Sequence, residues 1–285
     1  MLQIGDIHIH LINDGEHWID PGGMYGLVPR ALWRTYSTPD DDQLIQSALN
    51  CLLVQAGGKN IIVDTGYGDK LSEKMQRNLK MQRRGGGLPG GLARLNLSPE
   101  DIDLVIDTHL HGDHASGNTV IEPDGTVRPT FPNAEYVTQR REYEDAMRPN
   151  ERTRATYHRE NYEPLVQSGQ MRLLEGDTEL APGVRGVVTP GHTPAHMSVI
   201  FESGGQHAMF VCDMSSFAVH FERLGWMTAY DVEPLVTLET KRRWQKWALA
   251  HDATLIFPHE PLRPAGRLTE AEGKLTVVSL NEPYV

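Results

Sequence analysis

Within seven residues, Thr108-His109-Leu110-His111-Gly112-Asp113-His114, the chain gathers three imidazoles and a carboxylate. The apolar run Ile102 to Ile106 precedes them and reads as a buried β-strand. Side chains on an extended segment repeat every two residues, so His109 and His111 point the same way. Asp113 and His114 then fall in the following turn, where the chain can curl back toward the same point. Neutral imidazole is the commonest metal ligand at physiological pH. The arrangement suits two adjacent ions, with His109 and His111 serving one and Asp113 and His114 the other.

Four residues cannot fill two coordination shells, since a catalytic zinc usually takes three protein ligands and a water. Three further positions fit the same pattern. His192 lies in the turn Thr189-Pro190-Gly191-His192-Thr193 after Val187-Val188, Asp213 follows Met209-Phe210-Val211-Cys212, and His259 follows Thr254-Leu255-Ile256-Phe257-Pro258. Each ends an apolar run and so can stand on the rim of a sheet. Asp64, after Ile61-Ile62-Val63 and before Thr65-Gly66, fits a supporting carboxylate that holds a ligand imidazole in one tautomer.

The order H-x-H-x-D-H, then G-H-T, then a lone Asp, then P-H resembles the metallo-β-lactamase-fold hydrolase superfamily over nearly the whole chain, with Asn60 to Gly66 similar to its early strand and turn. The resemblance implies an α/β fold, an αβ/βα four-layer sandwich, as a single domain spanning 1–285. It implies that His109, His111 and His192 bind one metal, that Asp113, His114 and His259 bind the other, and that Asp213 bridges both. Two divalent ions are expected, zinc first, with manganese, iron or cobalt accepted by the same donors. A water shared by two such ions loses its proton near neutral pH and attacks a carbonyl carbon or phosphorus. Asp113 is the candidate proton carrier.

Within the superfamily, Asp213 to Asp231 and Lys241-Arg242-Arg243 look most like the branch of methyl parathion hydrolase and quorum-quenching lactonases. Several of those lactonases carry a Tyr three residues after the bridging Asp, where this chain has Ser216. Ser216, Phe217 and His220 are the candidate substrate contacts. The expected reaction is cleavage of a lactone, carboxylic ester or phosphotriester. A glyoxalase-II-like thioesterase, a mononuclear iron enzyme of the sulfur-dioxygenase type and a non-enzymatic metal-binding protein are the alternatives. No G-x-S-x-G elbow is present, and no G-x-G-x-x-G follows a suitable strand.

Composition agrees. The formal charge of −11 opposes a polyanionic partner, because nucleic-acid affinity comes from Lys and Arg neutralising phosphates. Mean hydropathy is −0.43 and no apolar run approaches the roughly 20 residues of a membrane helix. With no signal-like start in Met1 to His10, a cytoplasmic protein, or one whose leader has been removed, is expected to act on a small molecule, with a homodimer as the candidate assembly. Cys51 and Cys212, both in apolar runs, read as buried reduced thiols.

Strands are expected at Gln3–Asn13, Ala48–Ala56, Lys59–Asp64, Ala134–Thr138, Met171–Leu174, Val184–Val188, Met197–Phe201 and Met209–Asp213. Helices are expected over 69–83, on the spacing of Leu71, Met75 and Leu79, and over 139–148, 152–167 and 233–250. Gly85-Gly86-Gly87-Leu88-Pro89-Gly90-Gly91 reads as a flexible loop, a linker or a lid over the metals. His196 is a further candidate near the site. His8, His10, His17, His158, His207 and His251 are expected to be structural or exposed. Met24, Tyr25, Trp33, Phe217 and Trp226 could furnish an apolar pocket.

Overall fold

The computed structural model describes residues 1–280, so the last five residues of the expected 1–285 span lie outside the described residues. Strands covered on both faces read as unbroken apolar runs, and β3 (Ile45–Ala56) and β4 (Lys59–Val63) show why. Ile61 and Val63 enter a core shared with the opposite sheet, whereas Ile62 between them packs beneath helices. The sheet holding them has the order β1 (Leu2–Ile4), β2 (Ile7–Ile19), β3, β4, β5 (Leu104–Ile106), β8 (Glu135–Gln139) and β9 (Met171–Leu174). A separate ribbon pairs β6 (Thr119–Ile121) with β7 (Val127–Pro129). The second sheet runs β10 (Thr178–Ala181), β11 (Val184–Val188), β12 (Met197–Ser203), β13 (Gln206–Phe210), β14 (Thr254–Ile256), β15 (Ala265–Ala271) and β16 (Lys274–Ser279).

Three apolar layers separate four layers of structure. Leu52, Val54, Val63, Val199, Phe201 and Phe210 fill the space between the sheets. Leu88, Leu92 and Leu165 from helices cover Ile12, Leu53 and Val105 on the outside of the first sheet. On the outside of the second, Trp244 and Ala248 of the Pro234–Ala250 helix cover Ile200, Met209 and Leu255. This is the αβ/βα sandwich. Each fully buried aliphatic side chain in these layers contributes about 1.5–3 kcal/mol relative to exposure.

Pairing direction decides where the chemistry sits. β4 and β5 are parallel, as are β13 and β14, so within each pair the C-terminal ends lie side by side. Asp64 and the His109–His114 segment leave one pair, and Asp213 and His259 leave the other. Backbone bonds lace the ends together: Met197 N–H donates to the Thr108 carbonyl (2.9 Å), and Ala48 N–H to the His259 carbonyl (3.0 Å).

Three local expectations differ from the structure. The helix over 69–83 shrinks to Glu73–Asn78, with no residue of it buried, because the apolar side chains of this segment have no core to meet. Leu71 and Met75 instead face a cavity that His111 and Asp113 also line. The Gly-rich segment is neither linker nor lid over 87–91. Gly87–Arg94 is a helix with Leu88 and Leu92 buried, and Gly91 lies so close to Ile12 that an added Cβ would fall 2.3 Å from its Cγ2. Turns, the bridge between Tyr157 and His111, a 3-10 turn at Arg159–Asn161 and the short helix Glu163–Gln167 occupy the expected helix 152–167.

Candidate metal centre

Two strand ends adopt left-handed backbone that only Gly takes freely: Asp64 at φ 55° and Cys212 at φ 47°. The first turns the Asp64 carboxylate under the histidine segment. It accepts from Thr108 N–H (2.9 Å), from the Thr108 hydroxyl (2.9 Å) and from His114 Nδ1 (2.8 Å). The second precedes Asp213, whose own N–H donates to His196 Nε2 (3.1 Å). His196 is thus fully buried and props the Asp213 backbone.

The seven expected ligands converge. Ligand atoms of His109, His111 and His192 lie within 4.8 Å of one another, as do those of Asp113, His114 and His259. Asp213 stands between the two groups, with Oδ2 3.2 Å from His192 Nε2 and Oδ1 3.2 Å from His259 Nε2.

Tautomers follow from acceptors that cannot donate. His114 Nδ1 meets the Asp64 carboxylate, His192 Nδ1 meets Asp231 Oδ1 (3.0 Å), and His259 Nδ1 meets the Ala48 carbonyl (2.8 Å). Each Nδ1 must therefore carry the hydrogen, which leaves each Nε2 lone pair facing inward. As a result His114 Nε2 faces His259 Nε2 at 3.2 Å, acceptor to acceptor, and His192 Nε2 faces His111 Nδ1 at 3.1 Å. His109 Nε2 is buried with no hydrogen-bond partner. Opposed lone pairs and an orphaned ring nitrogen in a buried His/Asp cluster fit cations and little else.

Electrostatics agree with that chemistry. Burial, reinforced by neighbouring imidazoles, holds His109 and His111 well below the usual histidine range, so both are neutral. Burial alone would raise Asp213, but His259, His192 and His114 outweigh it and hold the carboxyl well below its usual range. His192 and His259 are raised despite burial, chiefly by Asp213. The groups that gather protons in the bare cluster are those whose lone pairs point inward.

A cavity of about 270 Å3 opens onto His111, Asp113, His192, Asp213 and His259. Ser216 lines it, and its hydroxyl donates to Asp213 Oδ1 (3.0 Å), so it is committed to that carboxylate. Phe217 and His220 do not line this cavity. Phe217 turns away to pack with Tyr25, Trp33 and Val219, and His220 is 1% exposed, stacked on Phe217. Of the aromatic and methionine candidates, Met24 alone reaches the metal cavity, while Tyr25 and Phe217 line a neighbouring one.

Several contributors were not singled out in the sequence. Asp231 sits in a turn with Thr228, whose hydroxyl donates to it (2.7 Å). Buried Glu142 accepts from Leu110 N–H, the Tyr157 hydroxyl and the Thr193 hydroxyl, pinning the His109–His111 segment to the His192 turn. Ser47, buried, and Tyr67 line the cavity wall together with His17, which was expected to be structural or exposed and is instead buried against the cavity. Gly15 was the available signal for His17, because a glycine inside a strand marks a bulge. Cys51 and Cys212 are free and buried.

Residues 46–259 match the sequence profile of the metallo-beta-lactamase superfamily, and the chain belongs to that family. An N-acyl homoserine lactonase from a Bacillus species is 30% identical over 172 residues, covering 59% of this chain and 60% of that protein. The N-acyl homoserine lactonase AttM of Rhizobium radiobacter is 26% identical over 174 residues, covering 59% and 61%. The chain thus spans about three fifths of the length of these relatives. Among solved structures, a probable metal-dependent hydrolase from Staphylococcus aureus aligns over 100% of both chains with 31% identity and a TM-score of 0.89. AidC, a dizinc quorum-quenching lactonase, shares the fold at a TM-score of 0.78 with 20% identity, over 99% of this chain and 97% of that one. No helix among the described residues is long and apolar enough to cross a membrane.

Proposed function

We propose that this chain is a metal-dependent hydrolase that takes two divalent ions, zinc first, and cleaves a small neutral lactone, carboxylic ester or phosphotriester. The observation that carries the proposal is the placement of Asp213, one oxygen toward His192 and the other toward His259. His109, His111 and His192 would hold one ion, Asp113, His114 and His259 the other, with Asp213 shared. When bound, the ions supply an acidified water as nucleophile and a Lewis acid for the substrate oxygen.

The chain's own groups do the rest. Asp64, Asp231 and the Ala48 carbonyl keep the ring hydrogens on Nδ1 and the inward lone pairs free. Ser216 steadies Asp213. Asp113, with its side chain 26% exposed, is the ligand carboxylate open to the cavity, and can take a proton from the attacking water and return it to the leaving oxygen. The apolar wall made by Ile19, Met24, Leu71 and Met75 suits an uncharged substrate body. The lactonase relatives support the lactone and ester end of the range.

The test is elemental analysis of metal-saturated protein together with specificity constants for a lactone, an aryl ester, a thioester, a phosphotriester and a short RNA. Two ions per chain and preference for the lactone or ester are expected, and Asp213→Ala should lose an ion and most of the turnover. One ion per chain, best cleavage of RNA, or thiol oxidation with oxygen uptake would overturn the reading.

A further inference from the structure

The wall of the cavity beside His259 is not wholly apolar. His17 and Ser47 are directly opposed across the β2–β3 ladder. Both line the cavity, and both are buried, at 3% and 1% exposure. His17 Nδ1 and Ser47 Oγ have no hydrogen-bond partner. An unsatisfied buried polar atom destabilises a fold, and the local sequence goes out of its way to keep this pair. The register of β2 against β3 shifts by one residue between Asn13 and Glu16. Before that bulge, the odd-numbered Ile7, Ile9 and Leu11 face the inter-sheet core. Beyond it the alternation inverts, so His17 joins Ser47 and Ile19 joins Ile45 on the face that Ile12 and Cys51 occupy farther back. A bulge beside an active site re-aims a side chain, and here the chain it re-aims is His17. The Tyr67 ring stands at 79° to the imidazole, 5.8 Å between centroids. Burial pushes the His17 imidazole down to about 4, so it is neutral and offers both a donor and an acceptor.

Resting on the hydrolase reading above, we propose that His17 and Ser47 form a polar anchor that holds a neutral substituent of the substrate able both to donate and to accept a hydrogen bond, a hydroxyl or an amide, and so selects substituted esters over plain hydrocarbon ones. Ser216 cannot take this part because its hydroxyl is committed to Asp213. His17 and Ser47 are positioning residues, since the metal cluster performs the bond cleavage.

The experiment compares α- and β-hydroxy-γ-butyrolactone and α-acetamido-γ-butyrolactone with their methyl counterparts, using metal-loaded wild type, His17→Phe, His17→Gln and Ser47→Ala. Wild type should favour the polar member of at least one pair by about tenfold in kcat/KM, the worth of one good hydrogen bond. The loss in His17→Phe and Ser47→Ala should fall on KM for the polar substrate and exceed any change for its methyl counterpart about tenfold, and His17→Gln should restore part of the preference. Equal polar-to-methyl ratios in all four proteins overturn the proposal. A second readout needs no turnover: imidazole nitrogen resonances of His17, assigned by their absence in His17→Phe, should shift with α-hydroxy-γ-butyrolactam and not with the α-methyl lactam. A protein that cleaves no ester yet shows that shift keeps the anchor and loses the hydrolase reading. A protein that cleaves esters without the shift or the preference loses the anchor alone.

Discussion

Asp64 is the carboxylate on which the histidine segment hangs, and its replacement gives the sharpest test of how the cluster is held. In Asp64→Ala the Thr108 hydroxyl can turn to His109 Nδ1, 3.1 Å away, but Thr108 N–H and His114 Nδ1–H lose their acceptor. Two stranded buried donors cost about 2–6 kcal/mol together. Alanine at φ 55° adds about 1–2 kcal/mol of backbone strain. Against a typical stability of about 5–15 kcal/mol, that variant can fail to fold. Asp64→Asn is the more informative change, because Asn tolerates left-handed backbone and keeps one oxygen. Its amide must point either at Thr108 N–H or at His114 Nδ1–H, donor against donor. The relief is for His114 to move its hydrogen to Nε2, which withdraws that lone pair from the cluster. Asp64→Asn should therefore lose about 1–3 kcal/mol in urea unfolding. It should bind metal about 10–100-fold more weakly in competition with a chromophoric chelator. A variant whose metal affinity stays within about twofold of wild type would refute the argument that Asp64 sets the His114 tautomer, since that mechanism demands at least tenfold.

Three further outcomes follow from the same geometry. Metal binding should stabilise the fold, by about 2.7 kcal/mol when free metal is 100 times its Kd, so chelation should lower Tm in a metal-dependent way, and an unchanged Tm would show that the cluster binds no ion. Gly91→Ala and Gly90→Ala should each destabilise by about 1–3 kcal/mol through clashes with Ile12 and the Gly85 carbonyl, and a neutral result by thermal melting would return 87–91 to the status of a loose loop. His220, pushed down to about 3 by burial and then by Lys241, stays neutral in the fold while the unfolded chain takes a proton below about pH 6.5. That stability is full above pH 6.5 and falls as pH drops toward 3, about 2 kcal/mol by pH 5, so His220→Gln should flatten the urea-derived stability between pH 7 and 5, and an unaltered slope would place the acid sensitivity elsewhere.

The clustered His and Asp residues were readable as a group because each ends an apolar run. Strand ends are rigid, and the sequence around His109–His114, His192, Asp213 and His259 carries both the hydrophobic period of the strand and the break after it. The sheets were readable for the same reason: covering on both faces leaves the apolar runs Cys51 to Val54, Ile61 to Val63, Val199 to Phe201 and Ala208 to Phe210 inside β3, β4, β12 and β13. Helices were harder wherever periodicity was not tied to a core. The Leu71-Met75-Leu79 spacing promised a long helix, but Leu71 and Met75 face a cavity, and helix persists only over Glu73–Asn78. In the Gly-rich segment the error ran the other way. Glycine lowers intrinsic helix propensity by about 1 kcal/mol per residue, yet at Gly91 the missing Cβ is what lets the helix touch Ile12, and tertiary packing overrides the local preference.

The cavity wall was the least readable part, and its residues share a reason. Asp231, Glu142, His17 and Ser47 act across distances in sequence of 39, 51 and 30 residues: Asp231 on His192, Glu142 on Thr193, and Ser47 opposite His17. No local pattern announces a partner that far away. Phe217 and His220 lie within seven residues of Asp213, yet the chain turns at Phe217 into the Ala218–Glu222 helix and buries both against Tyr25. Proximity in sequence to a ligand is therefore weak evidence for contact with substrate. Position on a strand that borders the cluster is stronger, but only once its bulges are known. A single inserted residue between Asn13 and Glu16 decides whether His17 meets the core or the cavity beside His259.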